Sequence, residues 1–152
     1  MIIQPHKEFL LKLIKCEVEF LLVGGHAVIF HGYPRTTLDM DLWIKPDNEN
    51  KLRLIIVFKE IGISEEGLKQ VENLNFSDVH VFHMGEKPNQ IDFLTKMQGL
   101  KFDEVYKNKV MLPLADTFVP VIHLTDLLVN KMLSGRLKDQ ADLDELKKVN
   151  KL

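Results

Sequence analysis

The chain predicts an α+β (mixed α/β) fold: a small mixed sheet with helices packed on one side, closed by C-terminal helices. Three observations carry that expectation. Apolar residues recur at helical spacing near both ends, as Phe9, Leu10, Leu13 and Ile14 and again as Leu124, Leu127 and Leu128. Asp39 to Ile44 alternates strictly, with Met40, Leu42 and Ile44 facing one way and Asp39, Asp41 and Trp43 the other. Two strand-like runs, Asp78 to Met84 and Gln90 to Thr95, flank Gly85-Glu86-Lys87-Pro88 and read as an antiparallel hairpin. With no fixed-period repeat and no Gly-, Ser- or Pro-rich linker, the 152 residues read as a single domain, 1–152. Its core spans about 18–95 and a helical segment spans about 123–150.

The elements follow in order. Pro5 to Cys16 is helical by its period, and Val18 to Val23 is a short apolar strand that runs into Gly24-Gly25. A short helix through Ala27, Val28 and Ile29 ends at His31-Gly32, where Tyr33-Pro34 breaks it. After the Asp39 to Ile44 strand, Pro46 stops the sheet and Asp47 caps a helix through Leu52, Ile55, Ile56 and Ile61 that ends near Gly62. A polar stretch leads to the hairpin. Val110 to Leu114 and Phe118 to Ile122 are further strands. Thr125 is expected to cap a helix to about Ser134, Gly135 ends it, and a last helix runs from about Lys138 to Val149.

Composition narrows the function. Twenty Lys and Arg against 22 Asp and Glu leave a formal net charge of −2, so the surface offers no general field for polyanions and non-specific DNA binding is not expected. No apolar run nears about 18 residues, so no membrane association is expected. Lys7, Glu8, Lys12 and Lys15 interrupt the first residues as a signal peptide's apolar region would not tolerate. The single cysteine, Cys16, fits a reducing compartment and excludes an internal disulfide or a Cys-rich zinc site, which points to the cytoplasm. At the end of its helix Cys16 reads as a buried small side chain.

The chemistry concentrates between Leu22 and Ile44. Asp39 and Asp41 share a strand face with Cα atoms about 6.5 Å apart, a spacing at which two carboxylates converge on a hard divalent cation. Asp92 lies between Ile91 and Phe93, which face away from it, so it emerges on one polar face. If its strand lies beside Asp39 to Ile44, three carboxylates meet, and two metal ions about 3.5–4 Å apart would activate an attacking oxygen and stabilise a leaving pyrophosphate. Gly24 and Gly25 let backbone amides approach a phosphate, and the helix that follows adds its N-terminal dipole. Taken singly, a Gly-Gly after a strand is a plain turn and an Asp-x-Asp is surface decoration; the combination at this spacing is what is specific.

Gly24-Gly25-His26-Ala27, His31-Gly32, Arg35, Thr37 and Asp39-Met40-Asp41-Leu42 resemble the signature of the polymerase-β-type nucleotidyltransferase superfamily, a Gly-Gly or Gly-Ser turn followed by Asp-x-Asp. The fuller pattern is similar to the small bacterial branch that includes the AbiEii-like toxins, and Lys131, Gly135-Arg136, Lys138-Asp139 and Asp142 resemble that branch's C-terminal segment. The resemblance implies a metal-dependent transfer of a nucleoside monophosphate from a nucleoside triphosphate such as ATP to an acceptor hydroxyl. It makes Asp39, Asp41 and Asp92 the catalytic and metal-binding triad for magnesium or manganese, two ions in number, and Gly24 and Gly25, with Arg35 and Thr37, the phosphate-binding set. The acceptor is left open between RNA, protein and a small molecule such as an antibiotic. The alternative is a non-catalytic or weakly catalytic component of a toxin-antitoxin pair that works by binding a protein partner.

Periodicity singles out the C-terminal segment independently. Leu124, Leu127, Leu128 and Lys131 fall at i, i+3, i+4 and i+7, so Lys131 lies on an apolar stripe where a lysine needs a partner. Asp139 and Asp142 share the inner face of the last helix with Leu146 and Val149. One reading is a structural clamp in which Asp139 or Asp142 holds Arg136 or Lys131, with Lys138 in support. The other has Lys131 or Arg136 reaching the nucleotide's phosphates, and Arg35, four residues before Asp39, joining them unless it is simply an exposed loop arginine. The histidines do not space as metal ligands: His26 and His31 lie about 140° apart on a helix, and His80 and His83 point to opposite faces of a strand. His31 reads as a supporting residue near the turn. Trp43 shares the face of Asp39 and Asp41, a position that could border a nucleotide base, but reads first as a sheet-edge core residue.

Overall fold

The computed structural model describes residues 2–152. Helix α1 (Gln4–Lys15) leads into β1 (Phe20–Val23), α2 (Gly24–Phe30), β2 (Met40–Ile44) and α3 (Asn48–Glu60). Then follow α4 (Glu65–Glu72), the hairpin β3 (Val81–Met84) and β4 (Ile91–Leu94), α5 (Phe102–Lys107), the hairpin β5 (Val110–Leu114) and β6 (Thr117–Val121), and the pair α6 (Leu124–Ser134) and α7 (Leu137–Val149). The strands form one six-stranded sheet in the order β3-β4-β2-β1-β6-β5. The sheet is mixed, as expected: β2 runs antiparallel to β1 and parallel to β4, and β6 runs parallel to β1. No described helix is long and apolar enough to cross a membrane.

The alternation of β2 organises the packing. Met40, Leu42 and Ile44 are fully buried on one face, where Leu42 pairs with Phe93 of β4. Phe93 in turn meets Phe9 of α1 at 5.9 Å and Phe58 of α3 at 5.6 Å between ring centroids, so α1 and α3 form the helical layer over this face. Trp43, on the other face with Asp41, packs edge-on against Phe102 of α5 at 5.3 Å. Trp43 belongs to a central strand rather than to the sheet edge. Its ring is 1% exposed, so it borders no nucleotide base.

Four local expectations are corrected. The polar stretch after Gly62 contains α4, capped by the Ser64 hydroxyl accepting from Gly67 N; its apolar residues are too few to show a period. The six-residue α5 is too short to show one at all. The cap of α6 is His123, whose Nδ1 accepts from Thr125 N at 3.1 Å, so Thr125 lies inside the helix and donates to the cap. Cys16 follows α1 and is half-buried rather than buried, because its thiol emerges beside Glu60. Asp47 caps α3 as expected, its Oδ1 accepting from Asn50 N at 2.7 Å.

Candidate active site

Parallel pairing of β2 and β4 sets Asp41 directly beside Asp92, the juxtaposition that the sequence left conditional. Asp39 stands one pleat earlier, just before β2. The three carboxylates line a cleft of about 590 Å³ together with Gly24, Gly25 and Lys131. Crowding has an electrostatic consequence. Burial, then the charges of Asp92 and Asp39, push the Asp41 carboxyl up to about 6, against the opposing pull of Lys138 and Lys131. Asp39 Oδ1 is buried with no hydrogen-bond partner, and a buried orphan acceptor is costly unless something positive completes it. Lys87, on the β3–β4 turn, reaches only to 3.9 Å from Asp39 Oδ2.

These donors fit a hard divalent cation: oxygen atoms only, in mutual repulsion, with a buried lone pair unspent. Among the described residues no three such side chains are already gathered tightly enough to hold an ion. Asp92 Oδ1 instead accepts the amide of Gln90 at 2.7 Å.

The glycines serve this geometry in a way that the turn expectation did not specify. They are not a turn preceding the short helix but its first residues, and Gly24 has φ +63°. A Cβ on Gly24 would collide with the Asp41 carboxylate, and a Cβ on Gly25 would lie 2.8 Å from Thr37 Cβ and against its Oγ1. Only glycine therefore lets β1 deliver backbone against Asp41 and Thr37 together. Thr37 lines the cleft, and its hydroxyl donates to Asp39 O at 3.4 Å.

The cationic cluster is built as a clamp. Lys131, 5% exposed, extends Nζ to Asp139 Oδ1 at 2.8 Å and Asp142 Oδ2 at 3.0 Å. Arg136 Nε holds Asp139 Oδ2 at 2.7 Å, and Ser134 Oγ donates to the same oxygen at 2.6 Å. Burial alone would raise the Asp139 carboxyl, but the hydrogen bonds from Lys131, Ser134 and Arg136 hold it down at about 2. Arg35 is not an exposed loop arginine: it is largely buried and paired with Asp142, which neither of its expected roles included. Lys131, Arg35 and Arg136 thus all face carboxylates. Among the described residues Lys138 makes no ion pair; it is exposed, lines the cleft and acts on Asp41. His31 caps α2 and its Nε2 donates to Ile122 O at 2.7 Å, a support to the fold outside the cleft lining.

Two residues of this region went unread in the sequence. Gln90 sits two positions before Asp92, the strand spacing that puts both on one face, and that spacing was the available signal. Lys87 carried no signal beyond turn composition.

No family model matches the chain, and no curated protein matches it by sequence. Solved structures do match in shape. The lincosamide antibiotic adenylyltransferase LnuA, in its lincomycin-bound form, superposes with a TM-score of 0.60 at 15% identity, covering 97% of this chain and 98% of that one. A candidate nucleotidyltransferase from Thermotoga maritima gives 0.60 at 14% identity, covering 99% and 97%. An antigenic nucleotidyltransferase-like protein from Paracoccidioides brasiliensis gives 0.60 at 15% identity, covering 94% and 72%. At these identities the likeness is one of architecture, and the mixed sheet with its helices has the fold that these nucleotidyltransferases share.

Proposed function

We propose that the protein is a metal-dependent nucleotidyltransferase of the cytoplasm, moving a nucleoside monophosphate from a nucleoside triphosphate to an acceptor hydroxyl with release of pyrophosphate. The observation that carries this reading is the register pair Asp41–Asp92, with Asp39 one pleat away and the Gly24-Gly25 backbone packed against Asp41. Asp39, Asp41 and Asp92 would hold magnesium or manganese, which when bound supplies positive charge to the reacting phosphate and eases deprotonation of the acceptor. Gly24 and Gly25 present open backbone to the triphosphate, with no Cβ to hold it off. Asp92, on the strand farther from the glycines, receives the acceptor's proton. Lys138 supplies positive potential for the departing pyrophosphate, since Lys131 and Arg136 are already engaged by Asp139. The order of the motifs, including the Lys131 to Asp142 segment, is what supports membership of the AbiEii-like branch.

Asp41→Asn tests the reading. It is expected to abolish magnesium-dependent transfer of labelled nucleotide while the circular dichroism spectrum stays that of the native fold. A wild-type protein that neither binds a magnesium-nucleotide complex nor differs from the variant would refute it. Screening antibiotic, RNA and protein acceptors with labelled nucleotides then identifies the acceptor class.

A further inference from the structure

Among the described residues, Asp92 is the only one of the three site carboxylates that accepts a side-chain hydrogen bond. The donor is Gln90, whose Nε2 lies 2.7 Å from Asp92 Oδ1, at the short end for an amide and in the range of charge-assisted bonds. An ionised carboxylate only accepts, so it is the NH₂ of the amide that must face it. The backbone that carries Gln90 is fixed from two sides. Met40 N, at the start of β2, donates to Gln90 O at 3.1 Å. His6 of α1, 1% exposed, lies with Nε2 3.0 Å from Asn89 O, and a carbonyl only accepts, so that nitrogen carries the proton. Neither His6 nor Gln90 is needed to close the β3–β4 turn, which has its own Asn89 N to Glu86 O bond at 2.9 Å. A glutamine loses much rotamer freedom when held; here a buried histidine and a strand both serve to place it.

We propose that Gln90 is the positioning residue of Asp92. Its amide occupies Oδ1, fixes the carboxylate rotamer and leaves Oδ2 for a cation, while His6 anchors the segment from which Gln90 reaches. Outer groups that hydrogen-bond a ligating carboxylate orient it and raise the affinity of the site for its ion. This assignment rests on the carboxylate site proposed above and adds to it a residue that touches neither metal nor substrate.

The test uses Mn²⁺ alone as probe, its binding to the full chain followed by electron paramagnetic resonance. Gln90→Met, of similar length but without the donor, is expected to weaken Mn²⁺ binding about tenfold or more, with its melting temperature within about 2 °C of wild type. Gln90→Asn keeps the amide but is one methylene too short to span to Asp92, and is expected to lose affinity likewise. Because Gln90 acts through Asp92, Asp92→Asn and the double variant with Gln90→Met should bind equally weakly. Gln90→Met binding within about twofold of wild type, or losses that simply add in the double variant, would overturn the assignment. Asp41→Asn separates the two levels. If it loses Mn²⁺ and Gln90→Met does not, the role of Gln90 falls alone; if wild type binds none, or Asp41→Asn loses none, the carboxylate site falls and Gln90 with it.

Discussion

Arg35 and Asp142, 107 positions apart in the chain, form a two-point pair: Arg35 Nε lies 2.9 Å from Oδ1 and Nη2 donates to Oδ2 at 3.1 Å. The same Oδ2 takes Lys131 Nζ at 3.0 Å. One carboxylate therefore ties the loop that leads into Asp39 to both C-terminal helices. Its removal leaves Arg35 without a carboxylate and Lys131 with Asp139 alone, so Asp142→Ala should cost about 3–5 kcal/mol, the range for breaking a buried pair from one side. Arg35→Met should cost clearly less, because Asp142 keeps Lys131 and only the loop is released. Urea denaturation of both variants reads the difference, and equal losses would mean that Asp142 serves only one partner.

Asp41 makes the opposite prediction for stability. Burial and its carboxylate neighbours raise it to about 6, so near pH 8 the metal-free fold carries an ionised group that the unfolded chain, at 3.8, tolerates better. Asp41→Asn should therefore stabilise the metal-free protein at pH 8, by about 1–3 kcal/mol from a shift of this size, while abolishing transfer. A thermal melt of both proteins in chelator decides it. A variant less stable than wild type would show that Asp41 supports the fold rather than burdening it.

The sequence pattern made the carboxylates legible because their spacing is local: Asp39 and Asp41 share a pleated face whatever the sheet does, and Asp92 needed only one strand neighbour to join them. The clamp was half legible. Helical period turned Lys131, Asp139 and Asp142 inward, but the pairing of Arg35 depends on where a distant loop passes, and no local period encodes that. His6 is of the same kind, an ordinary residue of its own helix given its role by a turn far away in sequence, whereas Gln90 lies only two positions from Asp92. Among the helices, α4 and α5 were lost for lack of a period, since Leu68 and Val71 are all the apolar residues that α4 offers.

Acid sensitivity should come apart into opposing slopes. Burial, then His6 and Arg35, lower His26 to about 4, so the unfolded chain binds its proton first, and the stability present above pH 6.5 is lost as the pH falls toward 4. His31, also lowered by burial, adds a contribution of the same sign. Asp41 runs the other way: its penalty is complete above pH 6 and is relieved as the pH falls toward 3.8. Asp139 enters later, its contribution intact above pH 3.8 and lost as the pH falls through about 2. Between pH 6 and 4 the histidine and Asp41 effects oppose each other. In denaturation midpoints taken across that window, Asp41→Asn should lose stability on acidification more steeply than wild type, and His26→Gln should lose it less steeply or gain. Parallel curves for all three proteins would contradict both assignments.

The two glycines should separate by what each would strike. Gly24→Ala puts a side chain at φ +63°, a conformation that costs roughly 1–2 kcal/mol for an L-residue, and drives its Cβ into the Asp41 carboxylate. Gly25 has no such backbone constraint; its added Cβ would lie 2.8 Å from Thr37 Cβ and 3.2 Å from Arg35 Nη2. Displacing Asp41 disturbs the proposed cation-binding group, whereas displacing Thr37 disturbs the wall of the cleft. Gly24→Ala should therefore lose Mn²⁺ affinity along with nucleotide affinity, and Gly25→Ala should keep the first while losing the second. Mn²⁺ resonance and equilibrium dialysis of labelled nucleoside triphosphates measure the two quantities separately. Loss of both in Gly25→Ala would place the ion nearer Thr37 than the carboxylates imply, and loss of neither in Gly24→Ala would remove Asp41 from the site.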